Sequence, residues 1–168
     1  MSWTDPLFDW LIDHVAHTRK PDVIIGGEEN PYLCRWHVIP RNKHFNIYLH
    51  QFIRSDDDRA MHDHPWVNMS ILLSGSYDEV TPKGTFRRKA GHIYLRKPTA
   101  LHRVALLPFR GDGIKRPDGT IFEAQVWTLF ITGPNVRNWG FACPQGWVSW
   151  QKFTAKTSKY IVGQGCGG

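Results

Sequence analysis

Cysteine is scarce in this chain: Cys34, Cys143 and Cys166 are odd in number and far apart. That spacing speaks against a disulfide framework or a C-x-x-C zinc motif, and the thiols are expected to be reduced. No uncharged run approaches the roughly 18 residues that a membrane-spanning helix needs, so no membrane association is expected. The opening MSWTDPLFDWLID is acidic where a secretory leader needs a basic start and an apolar core, which makes the cytoplasm the expected compartment. Internal repeats and low-complexity tracts are missing as well. A basic stripe, a zinc finger and a helix-turn-helix pattern are also absent. The net charge of +6 is scattered, with small clusters at Arg87, Arg88, Lys89 and at Arg96, Lys97, so nucleic acid is not an expected partner.

Aromatic residues, in contrast, are plentiful at 13%, with eight Trp in 168 residues, a length that fits one domain. Ser2 or Thr4 can cap a helix with Pro6 in its first turn, and Phe8, Leu11, Ile12 and Val15 recur on one helical face. One amphipathic helix is therefore expected over residues 1–20. From Pro21 the pattern changes to short apolar or alternating runs separated by Gly, Pro, Asn and Asp, which reads as an all-β domain over 21–162, with a flexible glycine-rich tail over 163–168. Strands are expected over 33–39, 44–54, 67–73, 76–81, 92–95, 102–107 and 124–132, with a further one over 147–153. The segments 55–60 and 108–119 read as hairpin or lid loops.

The chemistry concentrates in MHDHPWVNMSILLSGSYDE, residues 61–79. A strand turns residues i and i+2 to one face, so His62 and His64 point one way and Asp63 the other. A third imidazole from a neighbouring strand can join them around one ion with positions left open, the arrangement of a catalytic metal. By the same alternation Asn68 shares the face of His64, and its neutral amide suits a substrate or ligand-orienting contact better than direct ligation.

These residues resemble the two motifs of the cupin superfamily, G-x5-H-x-H-x3,4-E-x6-G and G-x5-P-x-G-x2-H-x3-N. His62 and His64 match H-x-H, Asn68 stands at the glutamate position and Gly75 closes the first motif. Gly91 opens the second, with His102 eleven positions on. Asp56, Thr99 and Leu106 depart from the pattern, Pro98 is displaced by one, and fifteen residues separate Gly75 from Gly91. The resemblance implies an all-β double-stranded β-helix, the cupin jelly-roll barrel, preceded by one N-terminal α-helix. It also implies a three-histidine metal site at His62, His64 and His102. The implied activity is that of a mononuclear Fe(II) dioxygenase acting on a small anionic substrate, with Zn, Ni or Cu also compatible with imidazole ligands. Two alternatives stay open. One is a metal-binding or small-ligand-binding cupin without turnover; the other is a cupin isomerase or epimerase using His50 or Tyr77 as acid or base.

Further candidates follow from strand parity. Asn68, Arg96 and His50 are the expected catalytic or substrate-orienting residues, with Arg54 a second choice for holding a carboxylate and Arg103 turned away from His102. His50 also reads as a hydrogen-bonded core histidine, and His14, His17, His37, His44 and His92 as structural or exposed. Asp78 and Glu79 are left off the ligand set because parity does not carry across the Gly75 turn. Tyr77, Tyr94, Trp66 and Trp127 read as barrel filling. The aromatic segment 139–150 is expected to close one barrel end, with Trp139 or Trp147 lining a pocket as the alternative and a homodimer interface as another use of its surface.

Overall fold

A computed structural model describes residues 3–26, 28–29, 31–55, 60–108, 123–154 and 166. The loop positions 56–59 and 109–119, and the tail apart from Cys166, lie outside the described residues.

The amphipathic N-terminal segment forms α1 (Asp5–Leu11), with Pro6 in its first turn, and continues as a π-helical turn over Ile12–Ala16. Thr4 precedes the helix without capping it, and its hydroxyl instead donates to the carbonyl of Leu73, 3.0 Å away. Among the described residues twelve strands follow: β1 (Val23–Ile25), β2 (Leu33–His37), β3 (Asn46–Phe52), β4 (Met61–His62), β5 (Asn68–Ser74), β6 (Ser76–Thr81), β7 (Gly84–Lys89), β8 (Ile93–Arg96), β9 (Arg103–Leu106), β10 (Val126–Thr132), β11 (Gly140–Cys143) and β12 (Gly146–Ser149). A short helix, α2 (Trp150–Phe153), takes the place of the second half of the strand expected there.

One layer is a six-stranded antiparallel sheet in the order β1-β2-β3-β10-β5-β8. The opposing layer consists of two three-stranded sheets, β12-β11-β4 and β7-β6-β9. Among the described residues one bridge joins them: His62 N–H donates to His102 O at 2.9 Å and His102 N–H donates to His62 O at 3.0 Å. The chain crosses from the large sheet to this layer at Gly75, whose φ of +86° and whose close approach to the Gln125 carbonyl both exclude a side chain. The jelly-roll expectation holds for the double-stranded β-helix, but the sheets are not closed into a barrel. The layers pack face to face without a shared hydrogen-bonded edge among the described residues.

Burial follows the pleat. Leu11 and Val15 of the helical segment cover the outer face of the large sheet at Cys34, Trp36, Leu49 and Leu73. Between the layers, one end is apolar, built from Phe52, Leu72, Tyr77, Val104, Leu106 and Val126. Toward the other end the same inner faces present histidine, arginine, asparagine and threonine. In the aromatic segment, Phe153 stacks on Phe141 at 3.6 Å and both are buried. Cys143 and Cys166 form a disulfide beside them, which corrects the expectation of three reduced thiols; Cys34 is the free one.

Candidate metal centre

The His62–His102 bridge sets the site. Residues paired across antiparallel strands share a face, so this backbone pairing turns both rings to the same side, and His64, two residues on and just beyond β4, joins them. The backbone of His64 is fixed by its N–H donating to Pro98 O at 3.0 Å, which is how the second motif's turn reaches the first motif. The ligand-type nitrogens of the three rings lie within 4.8 Å of one another, and the Nε2 atoms of His64 and His102 are 2.8 Å apart.

Asp63 faces away, as alternation requires. Buried, it accepts from the Gly140 amide at 2.8 Å, from Arg137 at 2.7 Å and from the Trp147 indole at 3.1 Å. Those three bonds tie the histidine segment to β11, to β12 and to the stretch leading into β11.

Behind His102 stands Glu79, 2% exposed. Its Oε1 lies 3.2 Å from His102 Nδ1 and accepts from Nε of Arg96 at 2.8 Å, while Oε2 accepts from Nε of Arg88 at 2.7 Å. Burial pushes the Glu79 carboxyl up, but the His102 contact and the Arg96 charge outweigh it and bring its pKa down to about 2. For His102, burial pulls the pKa down to about 4 against the opposing pull of Glu79. His64 is likewise held well below its ordinary value, first by burial and then by the charges of His102, His62, Arg96 and Arg35. Neutral rings have free lone pairs, which ligation needs, and a carboxylate on Nδ1 leaves Nε2 of His102 as the ligating atom. This donor set fits a divalent first-row metal ion.

The other expected site residues fall around this group. Asn68 is fully buried between its cross-strand neighbours Thr132 and Arg96, and neither amide atom has a hydrogen-bond partner among the described residues. Arg96 is buried and committed to Glu79. His50 is a buried, hydrogen-bonded ring: its Nε2 accepts from Nε of Arg35 at 2.8 Å. Phe130 stacks on His50 at 5.1 Å and meets His64 at 5.8 Å, so it stands between the two rings. The Arg54 guanidinium lies 5.9 Å from the Tyr32 ring centroid. A surface depression of about 530 Å³ lies beside the histidines rather than over them. Trp66 and Trp139 line it, and their rings also approach His64 and His62 at 6.4 and 6.3 Å.

Glu79, kept off the ligand set in the sequence reading, stands outside the three-histidine group but behind it, and Arg35 was not singled out. Glu79 was legible in principle, since its partner in alternation, Tyr77, is a natural inward residue and both are buried. Arg35 was not, because its contact with His50 depends on the β2–β3 register.

Neither a family model nor a curated protein matches the sequence. Solved structures do. An RmlC-like cupin protein from Ralstonia eutropha superposes with a TM-score of 0.50 at 12% identity, covering 79% of this chain and 75% of its own. The DMSP lyase DddQ from Ruegeria pomeroyi gives 0.50 at 11% identity, covering 73% of this chain, which in turn spans 58% of the lyase. A double-stranded β-helix protein from Klebsiella pneumoniae gives 0.47 at 16% identity, covering 67% of this chain and 85% of its own. At such identities the likeness is one of fold. The chain has the double-stranded β-helix fold of the cupin, or RmlC-like, proteins.

Proposed function

We propose that this is a metal-dependent cupin enzyme in which His62, His64 and His102 hold one divalent ion, Fe(II) in the reading we favour, and which oxidises a small anionic substrate with dioxygen. The observation that carries it is the convergence of three imidazoles, one of them backed by the buried Glu79 carboxylate. When bound, such an ion supplies a Lewis-acid and redox centre with positions open to substrate and dioxygen.

The protein's own residues do the rest. Glu79 stands 3.2 Å from His102 Nδ1, at a geometry just short of a hydrogen bond, where a small turn of the ring would orient it with Nε2 toward the ion. The backbone bridge and Asp63 keep His62 and His64 in register with it. No carboxylate stands among the three ligands, so the metal's charge is undiminished and favours an anion. Asn68 offers an amide that neither neutralises that charge nor is used elsewhere among the described residues.

The test is metal analysis of untagged protein, followed by dioxygen uptake with thiols, diketones and 2-oxo acids. His62→Ala, His64→Ala and His102→Ala are each expected to lose most bound metal, while His37→Ala and His92→Ala keep it. Full occupancy in the His102 variant overturns the metal assignment. Metal without dioxygen uptake across the panel overturns the oxidative reading.

A further inference from the structure

Arg35 is the inner-face cation that the metal site leaves unexplained. Cross-strand pairing places Arg35, His50 and Thr128 in one row of the large sheet's inner face and Tyr48, Phe130 and Ser70 in the next. The Arg35 guanidinium leans from the first row to the second, with Nε on His50 and its carbon 4.8 Å from the Tyr48 ring centroid. These contacts hold one edge and one face of the guanidinium and leave its terminal amino groups without a carboxylate among the described residues. A half-buried guanidinium ordinarily has a paired anion.

The surroundings deepen the imbalance. Arg88 and Arg96 share the single carboxylate of Glu79, so that cluster is itself net positive, and Arg41 adds charge near Arg35. The inner face also carries polar atoms with no partner among the described residues: both amide atoms of Asn68 and the hydroxyls of Thr128 and Thr132, all in residues at most 2% exposed. Buried polar groups ordinarily have partners, so these atoms are available to a polar guest.

We propose that Arg35 is the anion-binding group of this interlayer site, and that the molecule bound is a small organic dianion with one carboxylate on Arg35 and a second anionic group at the three histidines. A planar carboxylate matches the paired N–H groups that Arg35 still offers. His50 and Tyr48 are positioning residues that aim the guanidinium. The proposal rests on the metal-centre reading for its second anchor and on Arg35 alone for its first.

The experiment has one arm for each anchor and uses the full chain. In metal-free protein, acetate is titrated while the His50 imidazole nitrogen resonances are followed, since Arg35 donates to that ring. A saturable shift is expected in the wild type, a weaker one in Arg35→Lys and none in Arg35→Gln. In Co(II)-loaded protein, malonate is expected to bind roughly tenfold or more tightly than acetate. Arg35→Gln should erase that advantage with Co(II) affinity unchanged. An unmoved His50 resonance at about 50 mM acetate, well above a weak-binding Kd, overturns the assignment, and so does a malonate advantage that survives Arg35→Gln. If Arg35→Gln does not fold, the wild-type shift and Arg35→Lys decide. Failure of Co(II) to bind the wild type sinks the metal reading and the second anchor with it, while the acetate arm still judges Arg35.

Discussion

Glu79 Oε1 lies 3.2 Å from Nδ1 of His102, and the same carboxylate takes the guanidinium groups of Arg88 and Arg96. One buried charge thus stands behind a ligand and is shared by two cations. Glu79→Gln keeps the shape and removes the charge; metal affinity is expected to fall by about 10–100-fold, as for other residues behind metal-bound histidines. Glu79→Ala also strands Arg96 in the interior and should cost roughly 3–5 kcal/mol of stability. Metal titration and urea unfolding measure the two effects, and an unchanged metal affinity in Glu79→Gln would show that His102 is oriented by something else.

The same pair gives the metal-free protein an acid-sensitive stability. Both groups have a folded-state pKa below the unfolded one. His102 stays neutral in the fold down to about 4 while the unfolded ring gains its proton near 6.5, so stability falls as the pH drops between those values. The loss from this group is about 3 kcal/mol at most. Glu79 contributes stability that is fully present above 4.5 and is lost as the pH falls toward about 2. Chemical unfolding in the presence of a chelator should show a decline that begins near 6.5, and a flat profile down to 4.5 would contradict the burial of these rings.

Asp63 carries no chemistry, yet the site depends on it. Its carboxylate satisfies the Gly140 amide, Arg137 and the Trp147 indole at once. Asp63→Ala leaves those donors unpaired and should destabilise the protein by about 2–4 kcal/mol, with Asp63→Asn closer to the wild type. Because the lost bonds hold the segment carrying His62 and His64, metal affinity should fall along with the unfolding midpoint. A drop in stability with metal affinity intact would uncouple Asp63 from the histidines.

Asn68 can be tested by restoring the carboxylate that the motif lacks. Asn68→Glu is expected to raise metal affinity and lower turnover, by adding a ligand where substrate needs room. Its cross-strand neighbour Arg96 offers the new carboxylate a competing partner. Unchanged metal affinity would mean that position 68 faces Arg96 and not the ion.

Strand periodicity made much of this readable. Burial alternates in β5 from Asn68 to Leu72 and in β6 from Ser76 to Glu79, and both strands fall within one residue of the expected bounds. The H-x-H spacing, with His102 eleven residues beyond Gly91, pointed to the three histidines that the fold brings together. Elements without an apolar signature did not show. β7 is exposed along most of its length, β1 is three residues long, and β4 has two, held in place by β11 and by the bridge to His102. Register is a tertiary property, so Arg35 opposite His50 had no local signal. The Cys143–Cys166 disulfide joins positions 23 residues apart, a spacing that no sequence rule singles out.

Quaternary state turns on which apolar groups the fold leaves outside. Phe141 of the aromatic segment and Phe153 just beyond it are covered by their own chain, whereas Trp147 and Trp150 remain exposed. A second exposed set lies on β8, the edge of the large sheet, where Ile93 and Leu95 are 52% and 74% exposed. An unpaired strand edge carrying apolar side chains invites strand addition, and the commonest closed result is a two-fold dimer. We therefore expect a homodimer across β8, with a mass by light scattering near twice the chain mass of 19.4 kDa. Leu95→Glu should return it to a single-chain mass without loss of metal, because Leu95 points away from the histidine layer while its neighbour Arg96 points in. A single-chain mass at every concentration of the wild type would mean that this edge stays in solvent, and a dimer that persists in Leu95→Glu would move the interface to Trp147 and Trp150.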